Sequence, residues 1–289
     1  MAMKSYKGFD KKLKCRDFQY EIGKEYEMDG EIKVCSRGFH ACESPFDVFD
    51  HYTMIDSRFC EVEQDGNISK EDGGTKICSS KIKIKAELKL ADMINLGVEW
   101  LKEITSPEKI KTSIKDNSSG YDAQIGSSGN GAKIGSSGNG AKIGSSGNGA
   151  KIGSSGNGAK IGSSGNGAKI GSSGDGAQIG SSGNDAQIGS SGYDAQIGSS
   201  GDYAKIGSSG DGAKIDSTGE GCVIMCAGIN SVAKASKGSW ITLSEWSYSD
   251  KKQRYIPVCV KTEFVDGKKI KADTYYSLKG GVFVESVNN

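Results

Sequence analysis

Cys35, His40 and Cys42 are the tightest cluster of chemically versatile side chains in the chain. Together they could ligate a metal or supply a nucleophile. A zinc site asks for four ligands, usually as two short-spaced pairs. Only three lie close here, no Cys-x-x-Cys occurs, and Cys15 or Cys60 would have to join them in space. The spacing therefore favours buried thiols beside a hydrogen-bonded histidine. His40, Cys42 and Cys35 remain the candidates for an N-terminal site. His51 is the only other histidine, so no Ser–His–Asp arrangement is suggested and no catalytic residue is assigned. Neither a phosphate-binding loop nor a dinucleotide fingerprint occurs, and no cofactor or metal is expected.

A second set of residues is regular. Lys133, Lys142, Lys151, Lys160 and Lys169 recur every nine residues, with no acid between Ala123 and Gly174. From Asp175 to Glu220 the balance reverses, with seven acids against Lys205 and Lys214. A periodic row of lysines can dock an anionic partner. It can also simply keep strand edges soluble. The five lysines are the partner-binding candidates.

The lysines belong to a nine-residue phrase, Ala-Lys/Gln-Ile-Gly-Ser-Ser-Gly-Asn/Asp-Gly, repeated eleven times from Ala123 to Gly221. A fixed period means a stack in which each unit covers its neighbour. Collagen is excluded because Ala-Lys-Ile interrupts any every-third-glycine pattern. A flexible Gly/Ser linker has no need of an Ile at a fixed interval. Ala and Ile flank the Lys/Gln position, so they point to one side of a short strand and Lys/Gln to the other. The remaining six residues read as turn, with their serines, such as Ser127 and Ser128, in ladders on a solvated edge. Nine residues are too few to enclose a core, so two units per coil are expected. Period and glycine content resemble the calcium-binding nonapeptide roll of secreted toxins, whose turns end in Asp. Here Gly131, Gly140, Gly149, Gly158 and Gly167 occupy that position, and Asp only at 122, 185 and 194, which leaves calcium too few carboxylates.

Around this array the expected architecture is mainly β. An N-terminal α+β domain spans 1–112, a β-solenoid 113–239 (with Ile114–Asp122 as an imperfect first unit), and a small C-terminal β cap 240–289. The first domain is expected to cap one end of the solenoid. Lys81 to Leu90 alternates strictly and predicts a strand, and Leu90, Met93, Ile94, Gly97, Leu101 and Ile104 follow at helical spacing. Ser44-Pro45-Phe46-Asp47 predicts a second, capped helix over 44–52. Strands are expected near Ser5–Phe9, Phe18–Ile22 and Arg58–Glu63. Toward the C-terminus, Arg254–Val260 and Thr274–Leu278 are strand-like, and Lys279-Gly280-Gly281 predicts a hairpin into Val282–Val284.

The net charge is +1, so bulk charge selects no partner. No run of 18 apolar residues occurs, and no apolar signal follows the first residues. A cytoplasmic protein of a bacterial host cell is expected, with its eight cysteines as thiols.

Tyr6-Lys7-Gly8-Phe9, Cys15-Arg16, Phe18 to Lys24, Gly38-Phe39-His40-Ala41-Cys42 and Pro45-x-Asp47-Val48-Phe49 resemble an uncharacterised family of bacterial and phage proteins. The family joins such a domain to short tandem repeats and a β tail like Tyr276 to Val284. The resemblance implies a phage or prophage setting and no activity. The first reading is a non-enzymatic protein that binds a macromolecule through its repeats and interferes with a host defence or nucleic-acid enzyme. A protein partner is expected and nucleic acid is not favoured; DNA-mimicking repeat proteins also present charge at fixed spacing, but they are strongly acidic and only 175–220 is acidic here. Self-association is a further expectation, because the Ala/Ile core is thin. Two alternatives stand beside it. One is a structural or virion-associated spacer. The other is an N-terminal enzyme, loosely similar to ADP-ribosyltransferases in element order but lacking their Ser-Thr-Ser phrase.

Overall fold

The computed structural model describes residues 2–71, 74–105 and 120–286. It forms two compact units, Met1–Trp100 and Leu101–Asn289. The fold is mainly β: an N-terminal sheet with one α-helix, a β-solenoid of about 7 turns, and a C-terminal antiparallel strand pair.

In the first unit, β1 (Met3–Phe9), β4 (Glu25–Glu27), β5 (Phe39–Cys42), β6 (Arg58–Lys70) and β7 (Lys76–Leu88) form one antiparallel sheet, ordered β4-β7-β5-β1-β6. A small pair, β2 (Lys14–Cys15) with β3 (Phe18–Gln19), is all that forms of the strand expected over 18–22. The long strand expected near 81–90 is β7, and its alternation gives buried Ile82 and Ile84 between more exposed lysines. α1 (Leu90–Ile104) begins where the period changes from two to 3.6. Gly97 lies under the Phe46 ring, which leaves no room for a Cβ.

The helix expected over 44–52 is a shorter 3-10 turn, Pro45–Asp50. Ser44 does not cap the backbone. Its hydroxyl donates instead to the Asp47 carboxylate at 3.0 Å. Gln64 satisfies a buried polar set, donating to the Phe39 carbonyl at 2.7 Å and accepting from Ser5 at 2.8 Å.

In the second unit each nine-residue phrase gives one four-residue strand, from β8 (Gln124–Ser127) onward. Strands 18 residues apart pair in parallel, with identical residues in register: Ile143 on Ile161, Ser145 on Ser163. Successive phrases alternate between two sheets. The strand is one residue longer than Ala-x-Ile suggests, running Lys/Gln-Ile-Gly-Ser. Ala, Ile and the first Ser therefore point inward, while Lys/Gln and the first Gly point out. This corrects the expected serine ladder. Ser145, Ser163, Ser181 and Ser199 are buried inside the coil, not on a solvated edge. Of the imperfect first unit, 114–119 lies outside the described residues, as does the boundary expected at 112/113.

Turn chemistry explains the rest of the phrase. Each Asn or Asp at the eighth position accepts the backbone N–H of its counterpart 18 residues on, as in Asn148 Oδ1 with Asn166 N–H at 2.9 Å. The ninth position has positive φ, +65° at Gly167 and +58° at Asp185, which favours its Gly, Asp and Asn, with Tyr203 at +57° the exception. The seventh is glycine for another reason. A Cβ on Gly183 would overlap the carbonyl of Gly165 in the coil below.

At the C-terminal end β21 (Trp240–Ser249) continues one sheet and is covered by antiparallel β22 (Arg254–Phe264). The expected hairpin is β23 (Tyr276–Lys279) with β24 (Val282–Glu285), turning through Gly280 and Gly281 at φ +59° and +69°. β23 pairs antiparallel to β20 (Val232–Ala235) and closes the other sheet.

Candidate functional site

The expected N-terminal candidates gather at one side of a cleft of about 1040 Å³ in the first unit. The Cys35 N–H donates to His40 Nε2 at 2.9 Å, so that ring nitrogen is an acceptor already in use. Burial, then the positive charge of Lys7, lowers the His40 pKa, so the imidazole is neutral at pH 7. Lys76 Nζ lies 3.5 Å from the Cys35 thiol. Cys42 is buried in β5, and desolvation pushes its thiol up to about 12, which makes it inert as a nucleophile. Among the described residues no group of three His, Cys, Asp or Glu could hold a metal ion.

Sequence reasoning missed what lies deepest in the cleft. Lys7 is on β1, in the sheet interior between β5 and β6, and is only 4% exposed. Its ammonium donates to the His40 carbonyl at 2.8 Å and reaches the Cys15 thiol at 3.5 Å. It also lies 5.4 Å from the centre of the Phe9 ring and 5.7 Å from that of Tyr20. Tyr52 packs its ring where Gly8 lacks a side chain, and its hydroxyl donates to Cys15 at 3.0 Å. Burial depresses the Lys7 pKa and raises that of Tyr52. Gly8 was a detectable signal: a glycine inside a strand marks a close approach. Lys7 carried none.

The five lysine candidates divide between two sheets. Lys133, Lys151 and Lys169 stand in one ladder with Gln187 and Lys205, and all are exposed. Beside them Gly135, Gly153, Gly171 and Gly189 form a flat exposed row without side chains. Lys142 and Lys160 belong to the other sheet. Lys142 is half-buried, Lys160 is 4% exposed, and the glycines beside them are buried. Of the two ladders, the first is the more exposed.

That ladder continues into residues of different chemistry. Lys205 registers with Val223, Val223 with Trp240, and Trp240 with Phe264 across β21 and β22. Val223, Met225, Trp240 and Phe264 are all exposed, and the Trp240 and Phe264 rings lie 5.0 Å apart. One face thus runs from a lysine ladder to an aromatic patch. The sequence signal was the replacement of Lys and Gly by Val223 and Met225 at outward positions.

Residues 3–96 match the family described as "Domain of unknown function (DUF7666)". The β-solenoid follows this domain in the chain. No curated protein and no solved structure matches the chain. Among the described residues no helix is long and apolar enough to cross a membrane.

Proposed function

We propose that the protein docks a protein partner on the solenoid face that runs from Lys133 to Phe264. The observation that carries this reading is the continuity of one exposed ladder from Lys133, Lys151 and Lys169 through Lys205 to Val223, Trp240 and Phe264. An exposed apolar patch beside a charged surface is the usual composition of a binding face. Tryptophan at its centre is the residue type most often found to dominate binding energy. The occupant that fits is an acidic protein surface bearing an apolar residue. Its carboxylates would meet the lysines, and its apolar residue would cover Trp240 and Met225. We read the action as non-enzymatic inhibition of a host defence or nucleic-acid enzyme in the cytoplasm of a bacterial host. That setting rests on the resemblance of both chain ends to bacterial and phage proteins.

The test is capture of a partner from bacterial lysate by the full chain, followed by binding kinetics on the purified partner. Lys133→Glu, Lys151→Glu and Lys169→Glu together are expected to slow association about tenfold or more at low salt, with unchanged melting. Trp240→Ala is expected to speed dissociation, at a cost of about 2 kcal/mol. A partner bound equally well by both variants overturns the reading and leaves the solenoid a spacer. Self-association lost in the same variants would give the face to a second copy of the chain, and duplex DNA as the captured ligand would overturn the protein partner.

A further inference from the structure

The N-terminal cleft holds a buried lysine, Lys7, that has no counter-ion among the described residues. Lys7 has a backbone carbonyl and a thiol as hydrogen-bond partners, and it forms no ion pair among the described residues. Two ring faces stabilise it in part. Three acids line the cleft: Glu25 and Glu27 are turned to Lys81, at 2.8 and 3.8 Å, and Asp17, exposed in the turn after β2, forms no ion pair with Lys7 among the described residues. A buried charge without an opposite charge is costly, and the group either loses its proton or gains an anion. The cleft is open and of the volume that takes a small molecule. Arg16 and Lys76 add positive charge to its lining. Its wall is a set of edge-packed rings, Phe18, Tyr20, Tyr26 and Phe39. Phe18 remains 46% exposed, with a free surface on which a planar group can stack.

We infer that this cleft binds a small anion carrying a planar aromatic ring, with the anionic group on Lys7 and the ring against Phe18. The ligand supplies the missing counter-charge, and binding holds Lys7 in its protonated form. The titratable groups that face Lys7 are Cys15 and Arg16 from β2 and the turn after it, Tyr20, His40 and Cys42 from β5, and Cys60 from β6, with Tyr52 behind Cys15. None is a carboxylate. This inference is independent of the docking face, because every residue it uses lies in the first unit.

Calorimetry of the full chain with four probes tests it: adenosine monophosphate, adenosine, inorganic phosphate and anilinonaphthalene sulfonate. At pH 7 adenosine monophosphate is expected to bind at least tenfold more tightly than adenosine or phosphate. Lys7→Met is expected to close that gap, and Phe18→Ala to weaken both ring-bearing anions. The gap should also shrink in the unaltered protein as the pH is raised from 7 toward 10.5, the ordinary lysine value, because burial sets the Lys7 pKa below it. Cys15→Ser should leave that pH dependence in place, which separates Lys7 from the neighbouring thiol. The pH series keeps the test decisive should Lys7→Met not fold. A gap that survives in folded Lys7→Met, a gap insensitive to pH, or no binding of either aromatic anion at millimolar concentration overturns the assignment.

Discussion

Gly183→Ala is expected to unfold the coil around it, at a cost of about 3 kcal/mol or more. The added methyl has nowhere to go. It would overlap the carbonyl oxygen of Gly165, which belongs to the backbone of the coil below and cannot rotate aside. The same holds at Gly165 over Gly147 and at Gly201 over Gly183, so relief at one coil transfers the clash to the next. Two other glycines of the phrase calibrate the effect. Gly176 has φ +64° and open space around it, so Gly176→Ala should cost about 1 kcal/mol through backbone strain alone. Gly171 has neither a positive φ nor a neighbour within 4 Å, so Gly171→Ala should change stability by less than about 0.5 kcal/mol. Urea unfolding of the full chain, with hydrogen exchange over 123–240 to localise the loss, reads all three. Equal effects at the three positions would mean that the coils do not stack in the register described.

Replacing Ser145, Ser163, Ser181 and Ser199 together by alanine is expected to stabilise the solenoid. These four hydroxyls lie inside the coil without a hydrogen-bond partner among the described residues. Register explains why. Identical residues stack one strand spacing apart, about 4.8 Å, which is too far for one hydroxyl to reach the next. Each substitution removes a buried polar group and keeps the small volume the thin interior requires. About 1 kcal/mol per site is expected, or about 4 kcal/mol for the set. Ser155→Ala and Ser173→Ala, at the exposed neighbouring position, should change nothing. A lower melting midpoint in the fourfold variant would show that the inner hydroxyls are bonded in solution.

The period made the solenoid legible. An Ile at every ninth residue, in a phrase too short to enclose a core, leaves two units per coil as the economical solution. The Lys279-Gly280-Gly281 turn and the change of period at Leu90 were legible for similar local reasons. The first serine of each phrase was not. Composition reads Gly-Ser-Ser-Gly as turn, whereas in-register parallel pairing draws Gly and Ser into the strand. The lysine candidates show a different limit. Lys160 and Lys169 have the same neighbours in the chain, yet one is buried and the other exposed. Identical repeats cannot encode which of two sheets stays open. Lys7 shows a third limit. A lysine between Tyr6 and Gly8 looks like the polar side of an amphipathic strand, but β1 lies in the sheet interior and is buried on both faces. The aromatic end of the docking face is visible only once Val223, Trp240 and Phe264, distant in sequence, are placed on adjacent strands.

Parity follows from the two-unit coil. Gaining or losing 18 residues within the near-identical phrases lengthens or shortens the open face by one rung of about 4.8 Å. Both termini then meet the array in the same phase. A change of nine residues is different in kind. Each strand upstream would be continued by the opposite sheet, so the ladder of Lys133 would run toward β20 and β23 and no longer toward Trp240. Tandem copies in a gene are prone to expansion and contraction, and this fold sorts such events by whether the number of phrases changes by an even or an odd count. Length is thus free to vary in double steps, as an adjustable ruler with a fixed aromatic end-stop.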